Sequence, residues 1–205
     1  EFKQFVRKNV FGNSAIWVLA IANFFVYIVR YAVLDWGPTL LGEWKGVSIH
    51  HAGWMVAAFE ISGIVGMLVA GWATDRFFGG RGPRVCVICM ALATVFVALF
   101  WGISQPPMWL ATLLLGAAGF CIYGPQALVG IAAANIATKK AAATAVGFTG
   151  LFGYASTLVS GWGLGLLAQH YGWNIAVGAL ILIAIMGTLI FMAAWSAKAN
   201  GYDND

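Results

Sequence analysis

Long apolar runs, interrupted by short polar or Gly/Pro-bearing strings, dominate the chain from end to end. A membrane-spanning helix needs about 20 predominantly apolar residues. Six runs meet that length, at 14–38, 52–75, 85–104, 108–135, 143–168 and 173–196. The strings between them, including GPTLLGEWKG, DRFFGGRGPR, SQPP, TKK and QHYG, carry turn residues or charge. The runs are too long for barrel strands and lack their two-residue alternation. The pattern predicts an all-α membrane protein with a six-helix bundle over 14–196, preceded by residues 1–13 and followed by a tail at 197–205.

Composition strengthens that reading by exclusion. The 205 residues are 61% hydrophobic, 15% aromatic and only 9% charged, with a mean hydropathy of +0.86. A soluble domain carries about 25% charged residues. Eleven Lys and Arg with seven Asp and Glu cannot coat a globule of this size, which excludes a water-soluble enzyme. A disordered chain is excluded too, because so much apolar surface would collapse. The 26 glycines and 10 tryptophans suit membrane helices and their interfaces.

Charge placement sets the expected orientation. Lys3, Arg7 and Lys8 precede the first run, Arg76, Arg81 and Arg84 separate the second and third, Lys139 and Lys140 the fourth and fifth, and Lys198 follows the sixth. With alternating crossings all of these fall on one side, leaving Lys45 on the other and Arg30 inside a helix. Basic residues concentrate on the cytoplasmic side, so both termini are expected in the cytoplasm, with the bilayer and not nucleic acid as the partner. Trp17, Trp72 and Trp195 then mark inner helix ends, and Trp36, Trp44, Trp54, Trp101, Trp109 and Trp173 outer ones. No cleavable signal peptide is visible, and the chain starts at Glu1 in a basic, polar stretch, as an interior segment of a longer polypeptide would.

Arg30 is the most informative residue, because a guanidinium at the centre of a spanning helix costs about 2.5–3.5 kcal/mol on insertion scales. Helical spacing sets Asn23, Tyr27, Arg30, Tyr31 and Leu34 on one face, with Asp35 a turn above Tyr31. The structural alternative pairs Arg30 with Asp35 or Glu60 to hold helices together. The functional alternative is anion recognition, since the planar fork matches phosphate or carboxylate oxygens and keeps its charge at any physiological pH. Nearby tyrosine hydroxyls add hydrogen bonds without charge. Glu60, the second intramembrane charge, has three readings: a proton carrier, a counter-ion for a basic residue elsewhere, or a structural partner.

Other motif-like strings carry less. Cys86 and Cys89 have CxxC spacing among aliphatic neighbours without a second ligand pair, and read as small apolar residues. The lone Cys121, the pair His50 and His51, and His170 do not make a metal site. Gly147, Gly150, Gly153, Gly161 and Gly165 lie in a lipid-length helix with no strand before it, so they read as packing residues and not as a phosphate loop. No pairing supports covalent catalysis. An enzyme, a cofactor and a metal are not expected.

Residues 25–38, FVYIVRYAVLDWGP, followed in order by GWATDRFFGGRGPR, FCIYGP, KKAAATAVGFTGLFGY and YGW, resemble the organophosphate:phosphate antiporters of the major facilitator superfamily. The resemblance covers nearly the whole chain and matches the C-terminal six-helix half of carriers like those for glycerol-3-phosphate or hexose phosphates. It implies one half of a superfamily fold in the inner (plasma) membrane. Residues 1–13 then form a cytoplasmic linker from an N-terminal half, and exchange of a phosphorylated solute for inorganic phosphate proceeds by alternating access. It implies substrate contact for Arg30, Tyr27, Tyr31, Tyr123 and Tyr154. It further implies exchanging salt bridges for Asp35 and Glu60, and a gating role for Asp75 and Arg76 in a loop motif that Phe77, Phe78 and Pro83 loosen. In that motif Asp75 would accept from the N-terminus of the fifth helix. Val146 and Thr149 stand where hexose-phosphate carriers have Asp and Lys, which favours a glycerol-3-phosphate-like solute. A membrane sensor for an external sugar phosphate is the alternative on the same fold.

The orientation is testable in intact cells carrying the full-length protein. A cysteine replacing Lys45 should react with an impermeant thiol reagent added outside, and one replacing Arg81 should be protected. The reverse pattern would reject the positive-inside assignment.

Overall fold

The computed structural model describes residues 1–197; the tail from 198 onward, with Lys198, lies outside the described residues. Each helix begins and ends for a local reason. The Asn13 side chain accepts from the Ala15 N–H at 3.0 Å, which starts α2 (Ser14–Lys45) with a side-chain cap. The helix does not stop at Pro38, where the sequence pattern placed its end. Proline removes one backbone donor, yet the helix continues until Gly46, in a left-handed conformation at φ 68. There the Gly46 and Val47 N–H groups return to the Gly42 and Leu41 carbonyls at 3.1 and 3.0 Å, satisfying two otherwise orphaned acceptors. Ser48 caps α3 (Ile49–Phe77) through the His51 N–H, and Gly79 and Gly80, both at positive φ, turn the chain into α4 (Gly82–Gly102).

The next helical stretch, Met108–Tyr171, has 64 residues and at about 1.5 Å per residue would be roughly 96 Å long. That is about three times the bilayer core. It folds back at Thr138, whose φ 68 and ψ 167 are values that glycine adopts far more easily. Gly130 and Val146, equally spaced from the break, face one another, so the two arms are antiparallel. The first arm, 108–137, and most of the second belong to α5 (Met108–Thr157). The second arm continues through a π-helical turn, Leu158–Gly163, into α6 (Leu164–Tyr171). Gly172 at φ 84 leads to α7 (Trp173–Ala193). The six expected crossings are therefore present, with the TKK string compressed to a one-residue break. No strand occurs among the described residues. Residues 2–11 form α1 (Phe2–Val6) and a π-helical turn, Arg7–Phe11, which bury Val6 and Val10 against the bundle.

Helix α5 is the hub, packing against α2, α3 and α4. Glycines allow the tightest approach, between α3 and the first arm. A Cβ at Gly66 would collide with the Phe120 carbonyl, one at Gly119 with the Phe59 carbonyl, and one at Gly63 with the Tyr123 ring. Ser62 closes the seam by donating to the Gly116 carbonyl at 2.6 Å. Small residues at a membrane helix interface serve this close packing. Asn23 performs a similar task between α2 and the second arm, donating to the Thr149 carbonyl at 3.0 Å.

Both ends of the bundle follow the charge pattern. One end gathers Lys3 and Arg7 beside Thr144, Lys140 over the Phe5 ring, Arg81 near Asn135 and Ala197, and Arg84 donating to the Trp195 carbonyl. The opposite end holds Lys45, which donates to the Ile103 carbonyl at 2.6 Å. Here Trp36 donates to the Ser160 and Gly161 carbonyls of the π turn, both at 3.1 Å, and Trp173 donates to Glu43 at 2.7 Å. Large apolar side chains such as Ile61, Leu68, Leu151, Leu158 and Leu189 face outward, as membrane helices require.

The α3–α5 seam predicts a sharp contrast in the full-length protein. Gly119→Ala should lower stability by about 1–3 kcal/mol, as overpacking does. Gly102→Ala, with open space at its Cβ, should change it by no more than about 0.5 kcal/mol. Thermal unfolding in detergent checks this, and equal melting temperatures would show that the seam tolerates separation.

Candidate functional site

Arg30 lies near the middle of α2, and Glu60 comes towards it from α3. Their closest atoms, Arg30 Nη2 and Glu60 Oε2, are 3.8 Å apart, with side chains 17% and 32% exposed. This is the one ion pair among the described residues. The distance is well beyond the roughly 2.7–2.9 Å of a charge-assisted hydrogen bond, so the pair is coulombic and leaves bonding capacity unused. Arg30 Nε and Glu60 Oε1 are both buried without a hydrogen-bond partner.

Aromatic rings enclose the guanidinium. Its central carbon is 4.7 Å from the Tyr123 ring centroid and 5.4 Å from that of Tyr31, both within cation–π range. Tyr27 stands 5.6 Å from Tyr31 and 6.1 Å from Tyr154. The seam between α3 and the first arm sets Tyr123 and Glu60 side by side, with Phe59 packed at 6.1 Å from Tyr123. Across the site, a Cβ at Gly153 would come within 3.0 Å of Asn23 Nδ2 and 3.2 Å of the Tyr27 ring. That closeness places Tyr154, 65% exposed, at the open edge.

All five tyrosine and arginine positions expected to contact substrate are thus gathered on one side of the bundle, from α2 and both arms of α5. Of the two carboxylates weighed as Arg30's partner, Glu60 is the one in contact. Asp35 is exposed on α2 and forms no ion pair among the described residues. Asp75 and Arg76 stand at the basic end, both exposed. Asp75 lines a groove of about 300 Å³ with Gly71, Thr74, Gly80 and Asn135. Asp75 shares that groove with Gly79 and Gly82 of the turn between α3 and α4. Thr149 does not face the site either. It is 1% exposed, and its hydroxyl donates to the Val146 carbonyl of its own helix.

Sequence reasoning missed Gln126. It lies one turn beyond Tyr123 and beside Tyr27, and its Oε1 is buried without a partner, as is the Tyr123 hydroxyl. The signal was its place three residues after Tyr123 on a largely apolar arm. Arg30 Nε, Tyr123 OH, Gln126 Oε1 and Glu60 Oε1 are all buried without a hydrogen-bond partner.

The family model described as Major Facilitator Superfamily matches residues 10–201. The chain belongs to the major facilitator superfamily. It is 40% identical over 189 residues to a probable hexose phosphate transport protein of Chlamydia pneumoniae, covering 92% of this chain and 42% of that protein. It is 36% identical to the glycerol-3-phosphate transporter of Haemophilus influenzae, covering 96% of this chain and 45% of the relative. It is 35% identical to the membrane sensor protein UhpC of Escherichia coli, covering 89% and 41%. The chain therefore spans less than half the length of these relatives, consistent with one half of a superfamily fold. As a member of this superfamily it is a multi-pass membrane protein and not an enzyme.

Proposed function

We propose that this chain is the C-terminal six-helix half of a carrier that exchanges a phosphorylated small solute for inorganic phosphate by alternating access. The observation that carries the reading is Arg30: a fixed cation at mid-membrane, only loosely paired with Glu60 and ringed by tyrosines. A phosphate group can engage the open edge of the guanidinium in a bidentate way, while Tyr123, Tyr27 and Tyr31 donate to its remaining oxygens. Glu60 serves as the resting counter-ion and is released when phosphate arrives. The solute's phosphate and inorganic phosphate share the group that Arg30 reads, so one site serves both directions of exchange. Hexose phosphates and glycerol-3-phosphate fit this chemistry equally.

Alternating access needs two states of similar energy, biased by ligands that bind one better than the other. The weak Arg30–Glu60 contact and the exposed Asp35, Asp75 and Arg76 are the charges available to differ between states. The N-terminal half of the same protein supplies the other wall of the site, with residues 1–13 as the cytoplasmic connection and both described ends of this segment on the cytoplasmic side of the inner membrane. Similarity to a sensor supports one second reading, in which the same site detects an external sugar phosphate without moving it.

Labelled-phosphate counterflow in liposomes containing the full-length protein separates the two. A carrier exchanges and a sensor does not. Arg30→Lys keeps the charge but loses the fork, so exchange should fall about 10- to 100-fold, the range of a lost hydrogen bond to a charged group, with folded yield retained. Exchange near the wild-type rate would make Arg30 a structural residue.

A further inference from the structure

The N-terminal segment is not a passive lead into the bundle. A groove of about 500 Å³ opens between it and the second arm, lined by Phe2, Lys3, Val6, Arg7, Phe11 and Thr144. Buried Val6 and Val10 anchor the segment, whereas Phe2 and Phe11 stay 58% and 47% exposed. Lys3 and Arg7, one helical turn apart, are exposed and form no ion pair among the described residues. No acidic residue lines the groove.

Two cations beside two exposed phenyl rings, at the bundle end that collects the basic residues, match one chemistry. We propose that this groove binds an anionic phospholipid, with Lys3 and Arg7 on the headgroup phosphate and Phe2 and Phe11 against its acyl chains. Charge complementarity selects this occupant. The basic end faces the cytoplasm by the positive-inside rule, and the cytoplasmic leaflet carries the anionic lipids. A zwitterionic headgroup would bring its own cation into a site that already has two. A soluble anion would leave Phe2 and Phe11 in water.

The groove is coupled to the transport arm. Phe11 packs edge-on against Phe148 at 5.3 Å, Trp17 meets Phe148 and Phe152 edge-on at 4.9 and 6.0 Å, and Trp17 Nε1 donates to the Phe11 carbonyl at 2.8 Å. A lipid seated against Phe11 therefore bears on the second arm at Phe148 and Phe152, in the arm that carries Tyr154.

The test uses the full-length protein in vesicles of phosphatidylcholine carrying trace spin-labelled phosphatidylglycerol or phosphatidylcholine. The readout is the relative association constant of the two labelled lipids. One basic residue near an anionic surface is worth a factor of about five. The Lys3→Gln/Arg7→Gln protein should thus lose the wild-type preference for phosphatidylglycerol at this site by about 20- to 30-fold. Lys8→Gln/Arg81→Gln, which removes equal charge outside the groove, should retain it. High salt should collapse the wild-type preference, and excess inorganic phosphate at matched ionic strength should not. Equal loss in both variants would mean a diffuse surface field. No loss in either would mean that other parts of the protein cover the groove, and displacement by inorganic phosphate would mean a free-anion site. Any of the three overturns the proposal.

Discussion

A guanidinium at the middle of a spanning helix is the constraint from which the rest follows. Unpartnered, Arg30 would cost about 2.5–3.5 kcal/mol or more, so neighbouring helices must supply charge, π-density and hydrogen-bonding atoms. Glu60 supplies the charge at 3.8 Å, and Tyr123 and Tyr31 present ring faces. None of these contacts satisfies Arg30 fully, since Nε keeps no partner. A purely structural ion pair gains from short, saturated geometry. This one is long, and it leaves Arg30 Nε and Glu60 Oε1 without a hydrogen-bond partner.

Packing converts that requirement into position. Gly63, Gly66 and Gly119 bring α3 and the first arm of α5 nearly into backbone contact, and that seam fixes Glu60 relative to Tyr123. On the other side, the Asn23 bond to the Thr149 carbonyl and the small Gly153 bring Tyr154 to Tyr27. Arg30 thus stands between two close-packed helix pairs. At the end opposite the basic cluster, Trp36 holds the π turn of the second arm, so a local irregularity in that arm is tied to the same helix that carries Arg30.

Six crossings, their order and the one-sided distribution of basic residues were legible because they depend on run length and charge, which are local. The helix ends were less so. Pro38 suggested an end to α2, but the Gly46 cap outside that run decided it, and Thr138 makes a turn from a residue with no turn preference. Arg30, Tyr27 and Tyr31 share a face by helical period alone. The contribution of Tyr123 and Tyr154 came from family resemblance, because contacts across about 100 residues leave no periodic trace. The choice between Asp35 and Glu60 was open on one helix and is decided by the approach of α3. Gln126 and the folded N-terminal segment were missed, the first because a lone amide is unremarkable in sequence, the second because its anchors are just Val6 and Val10.

Phosphate affinity of the purified full-length protein, compared among wild type, Glu60→Gln and Arg30→Gln by titration calorimetry, tests the central relation between cation and counter-ion. If Arg30 is the anion site and Glu60 its resting partner, removing Glu60 frees the guanidinium. Glu60→Gln should then bind phosphate at least as tightly as wild type, and Arg30→Gln should lose binding. Loss of binding in Glu60→Gln to the same degree as in Arg30→Gln, with both proteins folded, would contradict it.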